Sequence, residues 1–147
     1  MRTDHRWIAA IAFLAGLPCA WAQGGAYCST AARSHGGQIG AAGPYCLELV
    51  VGQEELTVYL TDHDNGPVDA TGGSAKAIIT SGKKRRYVVV LKPAGANALR
   101  GAGEFTLGRS NVVSVMVVLP DGKPQRAKFT LQGPRGKKGK KTRTKPR

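Results

Sequence analysis

The chain has 147 residues, with 22 Lys or Arg against nine Asp or Glu, and its net charge of +13 favours anionic partners over cationic ones. Its length suits one ordinary domain. No apolar run reaches the roughly 20 residues a membrane-spanning helix needs.

Residues 1–22 read as a secretory signal peptide. Arg2, His5 and Arg6 precede an apolar run from Trp7 to Leu17, and Ala20-Trp21-Ala22 supplies a small-residue cleavage motif. The mature chain is expected to begin at Gln23 and to be periplasmic or secreted. Leu17-Pro18 is a poor approach to a lipidated Cys19, so an anchor there is not expected. Residues 23–147 keep 20 basic and eight acidic side chains, and eight of the basic ones fall in residues 134–147.

Residues 23–37 form a small, polar leader ending in the turn His35-Gly36-Gly37. From 38 to 133 the pattern changes to short runs of Val, Ile, Leu, Tyr and Phe separated by Gly, Pro, Asn and Asp. This predicts an all-β domain, a single immunoglobulin-like or cupredoxin-like antiparallel sandwich of about seven strands. The expected strands are 45–51, 55–61, 75–80, 86–91, 103–107, 112–119 and 125–131, joined by turns such as Asp64-Asn65-Gly66-Pro67, Ser81-Gly82 and Asp121-Gly122. Leu47, Leu49, Val58, Leu60, Val89, Val115 and Val117 are the expected core. Keeping apolar side chains on one face aligns Leu47 and Leu49 with Val58 and Leu56. That register sets Cys46 opposite Tyr59 and Glu48 opposite Thr57, with Cys46 and Glu48 sharing the other face. Residues 134–147 hold no aliphatic or aromatic side chain that could offset the entropy of ordering them, and are expected to be a disordered basic tail.

The chemistry-bearing residues cluster near the start of this domain. His35, Cys46 and Glu48 offer imidazole, thiolate and carboxylate, a set suited to Cu or Zn, with His63 as a fourth candidate. Each has a plainer alternative. Cys28 and Cys46 are the only cysteines in residues 23–147 and, in an oxidising compartment, either pair as a disulfide, leave Cys46 free to ligate, or leave it a plain buried thiol. His35 also suits a surface turn whose glycines supply positive φ, and a carboxylate at Glu48 is satisfied by water if it is exposed. His63 lies in Thr61-Asp62-His63-Asp64-Asn65-Gly66, where Asp and Asn favour a tight turn; the run lacks the closing bidentate Glu of a calcium loop. A Cys46 nucleophile with His35 or His63 as base and Asp62 as orienting group lacks any catalytic signature around it, so no enzyme activity and no organic cofactor is expected.

The segments His35-Gly36-Gly37-Gln38-Ile39-Gly40 and Gly43-Pro44-Tyr45-Cys46-Leu47-Glu48-Leu49-Val50-Val51 resemble a group of small periplasmic proteins and modules associated with heavy-metal efflux. The resemblance continues through Leu56 to Asp64, Gly66-Pro67-Val68 and Leu91 to Asn97, about two-thirds of the mature chain. It implies capture of copper, silver, zinc or a related ion for an efflux-system partner. By position His35 and Glu48 match the group's pattern, while Cys46 stands where the group has a second histidine. A thiolate there shifts preference toward Cu(I), and a disulfide there removes the ligand.

The second expected function is a non-catalytic envelope-binding or scaffold module. It would dock through the tail and Lys83-Lys84-Arg85-Arg86 to anionic lipid or polysaccharide. Export and the absence of interleaved aromatics argue against a specific nucleic-acid partner.

Overall fold

The computed structural model describes Cys28, residues 33–120 and residues 122–133; the expected signal peptide (1–22), most of the expected leader and the expected basic tail (134–147) lie outside them. Eight strands follow in chain order: β1 (Gln38–Ala42), β2 (Tyr45–Val51), β3 (Glu55–Thr61), β4 (Ser74–Ser81), β5 (Arg85–Pro93), β6 (Ala98–Ala102), β7 (Ser110–Val118) and β8 (Gln125–Gln132). They form one antiparallel sheet ordered β1-β2-β3-β6-β5-β4-β7-β8. β1 packs back against β8, so the sheet nearly closes on itself. Among the described residues there is no helix.

Period-two alternation explains the interior. In β7, Asn111, Val113, Val115 and Val117 are buried while their neighbours are exposed or half-buried, and β8 alternates likewise through Ala127, Phe129 and Leu131. All seven expected core residues are buried. β5 joins the two halves of the sheet: residues 85–91 pair with β4, and only Lys92 and Pro93 pair with β6.

Two strand assignments differ from expectation, giving eight strands instead of seven. Gln38-Ile39-Gly40-Ala41-Ala42 has one β-branched residue and lies outside the expected strands, yet it pairs along β2 from Gln38↔Leu49 to Ala42↔Tyr45. Gly40 is what lets it close the sheet, because a Cβ there would meet Phe129 Cε1 of β8 at 2.8 Å. The strand expected at 103–107 is instead a connection that buries Phe105, and the pairing falls on 98–102. Gly101 permits that pairing, since a Cβ would collide with the Val90 carbonyl.

The β2–β3 register is displaced by two residues from expectation. Leu47 lies opposite Leu60, Leu49 opposite Val58, Cys46 opposite Thr61 and Glu48 opposite Tyr59. A shift of two leaves every side chain on its expected face, so the apolar pattern cannot sense it. The turn decides: Gly52 N–H donates to Glu55 O at 2.8 Å, which centres the two-residue turn on Gln53-Glu54, one position later than the expected register would place it.

Candidate metal site at His35 and Glu48

Glu48 points away from the Leu47 and Leu49 side of β2, yet only 5% of it is exposed. The chain before β1 covers it. A buried carboxylate requires donors, and three converge on it. His35 N–H donates to Glu48 Oε1 at 3.0 Å, Gly37 N–H to Oε1 at 2.8 Å, and His35 Nδ1 lies 2.9 Å from Oε2. The His-Gly-Gly sequence fits this purpose residue by residue. Gly36 has φ 73°, so positive φ is needed there. Gly37 is required for another reason: a Cβ would stand 2.8 Å from Glu48 Cγ.

Burial pushes the Glu48 carboxyl up, but the Gly37 N–H, the His35 side chain and backbone N–H, and the His35 charge together hold it below its ordinary value of 4.5. An ionised carboxylate only accepts hydrogen bonds, so the His35 proton belongs on Nδ1 and the lone pair of the neutral ring on Nε2. The ring stacks on Tyr59 with centroids 3.5 Å apart and planes 2° from parallel. Its side chain is 40% exposed, against 6% for that of Glu48. The arrangement therefore fixes one imidazole in position, tautomer and plane.

The other two expected ligands do not join it. Cys46 is bonded to Cys28, with Cα atoms 5.4 Å apart, so in this structure it offers no thiolate, and the alternative left open by sequence resolves to the disulfide. The bridge and the His35–Glu48 contacts tie the leader to β2 at two points. His63 lies in the turn after β3, where Asp62 Oδ1 accepts from Asp64 N–H at 2.9 Å and Gly66 N–H at 2.7 Å, and its Nε2 is 3.5 Å from Asp64 Oδ2. It follows Tyr59 by four residues, about 13 Å along an extended strand. Among the described residues, no group of three or more His, Cys, Asp or Glu side chains gathers as a metal cage. Tyr59 is the site residue that sequence reasoning missed, and the two-residue register displacement is why: it placed Thr57 opposite Glu48.

Fold and site together define an all-β domain bearing a carboxylate-held, aromatic-stacked histidine. Comparison with protein-family models, curated proteins and solved structures found no match to this chain.

Proposed function

We propose that this chain is an exported, non-catalytic accessory protein that captures a soft or borderline ion, Cu, Ag or Zn, for a resistance or efflux system. His35 Nε2 is the ligand. Glu48, expected from sequence to be a second ligand, instead orients the first: a metal-binding imidazole commonly donates its other ring N–H to a carboxylate, which fixes the tautomer and raises the basicity of the ligating nitrogen. The observation that carries this reading is the Glu48–His35–Tyr59 arrangement, which leaves Nε2 as the ring atom with no hydrogen-bond partner among the described residues. A single protein ligand, with water or a partner completing the coordination shell, suits transfer of an ion more than storage. The resemblance to periplasmic efflux modules supports the same reading, and the finer architecture we propose is an immunoglobulin-like or cupredoxin-like sandwich with β5 crossing between its layers.

Zinc titration of the oxidised protein tests the reading. His35→Asn keeps a donor for Glu48 and removes the ligand, so binding is lost. Glu48→Gln presents an amide that can donate to Nδ1, favours the Nε2–H tautomer, and lowers affinity by about tenfold or more although the substituted side chain touches no metal. Equal affinity in all three proteins would refute the proposal. A second reading, docking to anionic surfaces through the tail, rests on the eight cationic residues among positions 134–147 and is independent of the metal site.

A further inference from the structure

The four strands β5, β4, β7 and β8 contain no Asp or Glu, and Asp69 and Glu104, the acids that precede β4 and β7 in sequence, fall in connections. Their outward side chains form rows across the sheet. Val90, Lys76, Met116 and Arg126 make one row, and Val88, Ile78, Ser114 and Lys128 the next. Val88 and Val90 are each 55% exposed, and are the large apolar side chains left open to solvent among the described residues. Ile78 and Met116 beside them are half-buried, and a shallow depression of about 240 Å³ lies between Lys76, Val90, Met116 and Val118. The apolar side chains therefore gather toward the β5 side of this face. Its cations are Arg86, Lys92, Lys76, Arg126 and Lys128, all exposed. Beyond Arg86 the β4–β5 turn adds Lys83 and Lys84.

We propose that this face is a docking surface for an anionic phospholipid bilayer. The inference deepens the second reading above by moving the primary contact from the tail to the folded domain. Charge complementarity selects an anionic partner, since cations here have no acid on their own strands to neutralise them. The apolar patch selects a bilayer over a soluble polyanion: a polysaccharide would leave Val88 and Val90 unsatisfied, whereas acyl chains at the headgroup boundary cover them. Lys76, within the apolar rows, lays its methylenes along the valines and lifts its ammonium to the phosphates.

The test uses the full chain and vesicles of phosphatidylglycerol mixed with phosphatidylcholine, with heparin as the soluble polyanion. V88Q/V90Q leaves every charge in place, and both side chains are exposed, so the fold is expected to hold; circular dichroism and the intact disulfide verify it. The double variant should lose vesicle affinity about tenfold or more while its heparin retention is unchanged, and K128E should weaken both. If V88Q/V90Q binds vesicles as the parent does, the face is not the contact and tail docking survives alone. If the parent ignores anionic vesicles altogether, both readings fall. A concentration-dependent dimer that V88Q/V90Q abolishes, without vesicle binding, would assign the face to a second copy of the chain and overturn the proposal.

Discussion

Glu48 is the residue on which the site depends, because a carboxylate 5% exposed accepts two backbone N–H groups and one imidazole. Replacing it with Ala leaves those donors facing an apolar void. We expect a loss of about 2–4 kcal/mol in urea unfolding, from charged hydrogen bonds forgone and buried donors left unmade. The pH dependence has a definite sign. The folded carboxyl lies below its ordinary 4.5, so its contribution is fully present above that value and disappears as pH falls through the lowered folded value. The stability gap between parent and Glu48→Gln should therefore be widest near neutrality and narrow as pH falls below 4.5 through the lowered folded value; a gap that widens on acidification would contradict the hydrogen-bond account. His35 and Glu48 were both legible in the sequence as chemistry-bearing residues. Their division of labour was not, because it depends on which side chain the leader buries.

At the scale of strands, faces were legible and registers were not. Alternation identified 45–51 and 55–61 to the residue, yet the displacement of two between them moved Tyr59 opposite Glu48. β1 escaped because Gly40 and its alanines carry almost no apolar signal; their small size is the signal, since Phe129 fills the space. Gly40→Leu should accordingly cost about 1–3 kcal/mol by overpacking the β1–β8 seam, measured by urea unfolding, whereas the same change at Gly36, where a Cβ meets nothing within 4 Å, acts only through its positive φ. The disulfide constrains a separation of 18 residues, for which chain entropy gives about 3 kcal/mol. Cys28→Ser/Cys46→Ser should lose that much stability and loosen the leader, detectable as faster amide exchange at Gly37. Unchanged exchange there would mean that Glu48 alone secures the segment.

Across the whole molecule, charge is unevenly spread. Eight cationic residues lie in residues 134–147, beyond the last described residue, Gly133, whose N–H donates to Arg109 O at 3.1 Å. No core residue follows Leu131 among the described residues, so deleting 134–147 should leave the unfolding midpoint within error of the parent. A large drop would show that the tail contributes to the fold. The domain's class was legible from the spacing of apolar runs, while the closure of the sheet and the acid-free outer face emerge only when distant strands are placed side by side. After signal cleavage the chain would hold just two histidines, His35 and His63, so one spectrum of ring nitrogens reports on the entire metal question. Long-range ¹H–¹⁵N correlation on the oxidised protein should show His35 protonated at Nδ1 before metal is added, then a Zn²⁺-dependent shift at its Nε2, with His63 little changed. A His35 ring protonated at Nε2, or one whose nitrogens do not respond as Zn²⁺ saturates the protein, would contradict the assignment of His35 as the ligand and Glu48 as the group that holds it.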